Sequence, residues 1–141
     1  ATFGWEQWSE MDEVLLSTDS NGVILPRDWH DTYHSALGAD YRLSDQWILR
    51  AGIAYDTSPT NEVDRTADMP IDEQFRYAIG ADYLRKDGVK VSGTMVYADY
   101  GDAEIDSSGG GLFGFSGDYQ TNQIWFTSLS FNWPLGGGSR R

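Results

Sequence analysis

Cysteine is absent from the 141 residues, so neither a disulfide framework nor a thiolate metal centre is available. Basic residues are scarce: 10 Lys and Arg stand against 22 Asp and Glu, a formal net charge of -12. Nothing in that balance would neutralise phosphates, which argues against nucleic acid as a partner. No window holds the about 18 consecutive apolar residues that a membrane-spanning helix needs. That test is blind to membrane barrels, whose strands alternate and read as only weakly hydrophobic. The mean hydropathy of -0.49 therefore leaves the medium of the fold open. Ala1–Trp8 lacks the basic start and apolar core of a signal peptide, so an exported chain would be mature or truncated here.

What is abundant is aromatic: six Trp, eight Tyr and six Phe, with 40% apolar residues overall. Such a chain is too rich for disorder, and its length suits one domain. The run Ala36-Leu37-Gly38-Ala39-Asp40-Tyr41 returns 42 residues later as Ala78-Ile79-Gly80-Ala81-Asp82-Tyr83. Each copy closes an alternating run, meets a short polar turn and is followed by a second alternating run, the pattern of a β-hairpin used twice.

In chain order, the first strand is expected from Phe3 through Leu16 with a bulge near Trp8–Glu10, followed by a loop over Thr18–Asp28. Tyr33, Leu37, Ala39 and Tyr41 then share one face, opposite His34, Gly38, Asp40 and Arg42. The next strand sets Trp47, Leu49, Ile53 and Tyr55 against Arg50, Gly52, Ala54 and Asp56. After a polar loop over Thr57–Asp72, Phe75, Tyr77, Ile79 and Tyr83 oppose Arg76, Gly80 and Asp82, and Lys90 begins the polar face of the following strand. A Gly-rich loop over Gly101–Asp118 leads to a last strand with Trp125, Leu129, Phe131 and Trp133 on one side. The fold class is all-β and antiparallel: six meander strands of about 10 to 15 residues, joined alternately by short turns and long loops.

Soluble sandwich strands run about 5 to 6 residues, whereas outer-membrane strands need about 9 to 11. The aromatics gather near the strand ends and Leu, Ile and Ala near the middles, as in the two aromatic girdles of a membrane barrel. In that arrangement the small and charged face lines a lumen, making His34, Asp40, Arg42, Arg50, Asp56, Arg76, Asp82 and Lys90 the lumen-facing candidates. Those charges either compensate one another along the wall or leave one cation to meet a carboxylate head group. A soluble barrel with the greasy face as a ligand-binding core is the alternative, and a structural or engineered strand assembly without transport is a third reading.

Other chemistry is poorly supported. His30 and His34 on one strand would lie about 13 Å apart at ~3.3 Å per residue, too far to share an ion. Asp99, Asp102, Glu104 and Asp106 do not have the spacing of a calcium loop. Gly114-Phe115-Ser116-Gly117 falls short of a nucleophile elbow, and Gly109–Gly111 lacks the lysine of a phosphate loop. No catalytic residue, metal ligand or cofactor is assigned. Leu112, Phe113 and Phe115 stand out as apolar residues on a polar loop and are candidates for contact with a hydrophobic ligand.

The run Asp28–Tyr41, the run Trp47–Pro59, the pieces Asp64-Arg65-Thr66 and Met69-Pro70, the strand start Phe75-Arg76-Tyr77 and the opening Gly4–Ser9 together resemble the C-terminal part of FadL-type outer-membrane transporters of long-chain fatty acids and aromatic hydrocarbons. The resemblance covers nearly the whole chain to Trp133. It implies barrel strands over residues 1–135, part of a barrel of about 14 strands, while Gly136-Gly137-Gly138-Ser139-Arg140-Arg141 reads by its composition as a flexible tail. It implies the outer membrane of a Gram-negative bacterium, passive uptake of a hydrophobic small molecule without a reaction, and contact with lipid bilayer and lipopolysaccharide. The long loops, Val23–Arg27 among them, then face outward. Because about 8 strands are the fewest that close a barrel in a bilayer, six point to a fragment whose open edges meet the missing barrel half or further copies of the chain.

Overall fold

The computed structural model describes residues 1–11, 13–18, 21–26, 28–67, 69–106 and 116–134, with 13–26 described by their backbone alone. The strands are β1 (Thr2–Glu6), β2 (Glu13–Thr18), β3 (Asn21–Pro26), β4 (Thr32–Arg42), β5 (Trp47–Asp56), β6 (Gln74–Leu84), β7 (Lys90–Asp99), β8 (Ile105–Asp106), β9 (Ser116–Gly117) and β10 (Gln123–Asn132). Six form one antiparallel sheet in the order β1-β4-β5-β6-β7-β10, and β2-β3 and β8-β9 are separate pairs. Five of the six run 10 or 11 residues, the length of a bilayer crossing. The short turns 43–46 and 85–89 lie at one end of the sheet and the loops 57–73 and 100–122 at the other.

The sequence expectation fails at the start of the chain. β1 stops at Glu6, and a 3-10 turn over Trp8–Glu10 replaces the bulge. The physical reason is a set of polar bonds, one local and two to the start of β4: the Trp8 indole donates to Glu6 at 2.9 Å, and the Ser9 hydroxyl and amide donate to Asp31 at 2.5 and 3.2 Å. The Trp8 ring packs at 5.4 Å on Trp29, folding the segment back over the entry to β4. Hydroxyl and amide together hold the Asp31 carboxyl below its ordinary value. Val14 and Leu16 consequently belong to a second hairpin, and the expected loop over Thr18–Asp28 contains β3. The long loop 101–118 likewise contains β8 and β9.

Within the sheet, register decides which face each side chain takes. Leu37 pairs with Ile53, Ile53 with Tyr77 and Tyr77 with Tyr97, then Tyr97 with Trp125, so one cross-strand row is apolar throughout. A second row, nearer the short turns, runs Trp47, Tyr83, Val91 and Phe131. Trp47 and Tyr83 lie 4.8 Å apart by ring centre, as do Tyr55 and Phe75 near the opposite end. Such cross-strand aromatic pairs contribute ~0.5–1.5 kcal/mol beyond the area they cover. The apolar face is exposed, Leu37 being 64% and Ile79 63% accessible; on the other face exposure is uneven, 3% at Asp82 and 66% for the Asp40 side chain. A soluble barrel would reverse that arrangement.

At the long-loop end, Arg65 joins the loops into one cap. It is 3% exposed. Its Nε–H donates to the Ile71 carbonyl at 3.0 Å, an Nη1–H to the Glu104 carbonyl, and Nη2 lies 3.0 Å from Asp72. Gly101, at φ +73, sits where an added Cβ would come within 2.8 Å of Asp72, so this tight crossing needs glycine on both counts.

Ile79 is the midpoint of β6 on the apolar face. Ile79→Arg is expected to destabilise the protein folded in lipid vesicles by ~2–4 kcal/mol, and Tyr83→Arg, near the strand end, by ~0–1 kcal/mol. Urea titration of vesicle-folded protein measures both; equal effects at the two positions would contradict a face in contact with hydrocarbon.

Candidate functional site: the charged face of the sheet

The face opposite the aromatics carries Gly and Ala in its middle and charges toward both ends. Nearest the short turns, Asp82 on β6 receives Arg50 of β5 through two parallel bonds, Nη1–H to Oδ1 at 2.7 Å and Nη2–H to Oδ2 at 2.6 Å. Lys90 of β7 reaches the same carboxylate at 2.7 Å, and Arg50 Nε lies 3.3 Å from Asp40 of β4. Four consecutive strands thus contribute one charge each to a single network. The fork geometry of the guanidinium matches a carboxylate, which makes this the stronger kind of pair. Gly80, the register partner of Arg50, leaves little room for a side chain, since a Cβ there would lie 3.2 Å from the Gly93 carbonyl.

Toward the long loops a second cluster forms. His34 of β4 lies 2.8 Å from Asp56 of β5, Nδ1 to Oδ1. Because an ionised carboxylate only accepts, Nδ1 carries the proton and donates. Arg76 of β6 pairs with the other oxygen of Asp56, and its Nη2 stands 3.4 Å from His34 Nδ1. The Arg76 Nε–H is shielded from solvent and has no acceptor among the described residues.

Of the eight charged or imidazole candidates, seven fall into these two clusters. The eighth, Arg42, shares the face at the end of β4 and is exposed. His30 precedes β4, its amide donating to the Pro59 carbonyl at 2.6 Å, so the two histidines do not share a strand. Among the described residues no three His, Asp or Glu side chains are placed to hold a metal ion together. Leu112, Phe113 and Phe115 lie outside the described residues, as does the tail 136–141.

Sequence reasoning missed two apolar residues on the charged face. Ile124 pairs with Ala98 and Phe126 with Val96, which puts both side chains on the face of Arg76, and both are exposed. The signal was present: Ile124-Trp125-Phe126 is a run of three large apolar residues, incompatible with a strand greasy on one side only.

A family model described as outer membrane protein transport protein (OMPP1/FadL/TodX) matches residues 1–133. The chain belongs to that family. The long-chain fatty acid transport protein of Escherichia coli strain K12 is 29% identical to this FadL-family chain over 136 residues, which cover 95% of the chain and 29% of that protein. Outer membrane protein P1 of Haemophilus influenzae is 30% identical over 84 residues, 58% of the chain and 18% of that protein. The crystal structure of a Pseudomonas aeruginosa FadL homologue has the same fold, with a TM-score of 0.72 at 24% identity, covering 92% of this chain and 29% of that one. The chain thus spans less than a third of the length of these relatives, and its sheet is a segment of an outer-membrane β-barrel of a Gram-negative bacterium. Members of the family are outer-membrane transport proteins.

The two clusters differ in how much their loss should cost. Asp82→Asn leaves Arg50 and Lys90 facing a neutral amide and is expected to destabilise the folded barrel by ~2 kcal/mol, between the limits for exposed and buried pairs because the two cations are partly solvated. Asp40, two-thirds exposed, should cost under ~1 kcal/mol as Asp40→Asn. Urea unfolding from detergent micelles distinguishes them; an Asp40→Asn loss as large as that of Asp82→Asn would contradict the assigned network.

Proposed function

We propose that this chain forms part of the wall of a channel that takes up hydrophobic molecules, long-chain fatty acids or aromatic hydrocarbons, by passive diffusion across the outer membrane. No bond is made or broken in that process. The observation that carries the reading is the division of the sheet: an exposed apolar face with aromatic rows near its ends, backed by a face of small residues and mutually paired charges. The first suits contact with lipid and the second a lumen. The name of the Escherichia coli relative supports long-chain fatty acids as the cargo.

Physically, such a wall guides without trapping. Glycine and alanine at Gly38, Gly52, Ala78 and Gly80 keep it thin, and within each cluster the charges offset one another, so an apolar chain meets little standing field between the clusters. In a host lacking its own fatty-acid transporter, a complete barrel carrying this sequence is expected to restore uptake of radiolabelled oleate, while residues 1–141 alone are expected to leave it at background. Uptake by residues 1–141 alone, or none by the complete barrel, would contradict the proposal.

A further inference from the structure

Charge is sorted along the strands of this chain. Among the described residues the cations toward the short turns are Arg42, Arg50, Arg85, Lys86 and Lys90, against Asp40, Asp45, Asp82 and Asp87, while Glu62, Glu73, Asp102, Glu104 and Asp118 stand exposed at the long-loop end. We propose that the short-turn half of the apolar face holds one phospholipid with an anionic head group, its phosphate at Lys86 and Arg85 and an acyl chain in a depression beside Ala81 and Gly93. The inference goes beyond the transport reading and needs only that this face meets lipid.

Three observations converge on that occupant. The first is shape. A depression of about 750 Å³ opens on the apolar face between the cross-strand row of Leu49, Ala81 and Gly93 and the row of Ala51, Ile79 and Met95. The residues between the two rows turn their side chains to the other face, which leaves backbone as the floor. Alanine and glycine give the depression its room: a Cβ added at Gly93 would meet nothing within 4 Å. A volume of this size is that of a small-molecule site, and its walls offer an acyl chain apolar contact.

The second is charge. Asp87 accepts from the Val89 amide at 3.3 Å and pairs with Arg85 at 2.9 Å, so Lys86 is the cation of that turn without a partner among the described residues. The Leu84 amide donates to the Gln46 carbonyl at 2.8 Å and sets the neighbouring turn alongside, where exposed Arg42 and Asp45 offset each other. Arg50 and Lys90 are balanced by Asp82 and Asp40 on the opposite face. One positive charge is left over at this end, in a chain whose formal net charge is -12. An anionic head group is attracted here and repelled by the exposed acids of the long loops.

The third is alignment. Arg85 follows Ala81 and Tyr83 at intervals of two, and its amide donates to the Val89 carbonyl at 2.8 Å, extending the pairing of β6 with β7, so alternation puts all three on the apolar face. Tyr83, packed 4.8 Å from Trp47, lies between the cations and the depression as an interfacial ring would. At ~3.3 Å per residue Arg85 is about 13 Å from Ala81, less than the ~20 Å from head group to bilayer centre, so a chain that starts at the phosphate reaches the depression. Short turns are the periplasmic ends of such barrels, and the leaflet on that side consists of phospholipid.

Native mass spectrometry tests the site on the complete barrel carrying this sequence, in detergent titrated with dioleoyl phosphatidylglycerol or dioleoyl phosphatidylethanolamine. The first equivalent of phosphatidylglycerol is expected to bind about fivefold more tightly than phosphatidylethanolamine, the order of one cation's attraction near a membrane surface. Lys86→Gln should bring the two lipids to equal affinity, and Gly93→Leu, which fills the depression, should weaken both. Glu62→Gln, at the far end of the strands, should leave the preference as it is. Thermal melts in detergent confirm that each variant is folded. Equal affinities for the unsubstituted barrel, a preference that survives in folded Lys86→Gln, or undiminished binding in folded Gly93→Leu overturns the site, and each leaves the transport reading standing.

Discussion

A strand that crosses hydrocarbon must bond its peptide groups to neighbouring strands, because no water is there to take them. Everything in this sheet follows from that requirement. β4, β5, β6 and β7 are paired along nearly their full lengths, which fixes register, and register in turn sorts each side chain to lipid or lumen. The turns at one end are short because antiparallel neighbours need no more; the loops at the other are long and carry their own pairings, closed over by Arg65. β1 and β10 each have one neighbour in the sheet, so both of its edges are open.

Fixed register also explains how so many charges can sit together on one face. Asp82 would be costly by itself, yet Arg50 and Lys90 come from the strands on either side of it and meet it within 2.7 Å. The charges thereby tie four strands together as well as satisfying one another. The His34 cluster uses the same device, with Asp56 meeting an imidazole and a guanidinium from the strands on either side of it.

The repeated hexapeptide was the most legible part of the chain. Leu37 and Ile79, Gly38 and Gly80, and Asp40 and Asp82 take corresponding faces because alternation with period two leaves no other choice once the strands are long. The six sheet strands could be read for the same reason. What could not be read was decided by contacts distant in sequence or by local polar bonds. The run to Leu16 looked continuous, yet Ser9 bonding to Asp31 and Trp8 packing on Trp29 break it. The pairing of Arg65 with Asp72 and with the Glu104 carbonyl spans loops that composition marks merely as polar. As for the charged residues, alternation put them on one face, but only register shows that Asp82 binds two cations while Arg42 stands apart at the strand end.

The central claim is that the aromatic and aliphatic face meets lipid. Since the chain has no cysteine of its own, single cysteines can be placed at will and labelled with a fluorophore in the vesicle-folded barrel. Labels at Leu37→Cys, Ile53→Cys and Ile79→Cys should be strongly quenched by brominated lipid chains, and labels at Ala36→Cys, Ala54→Cys and Ala78→Cys, one residue away on the same strands, should not. Quenching of the second set rather than the first would show that the sheet faces the other way and would contradict the account.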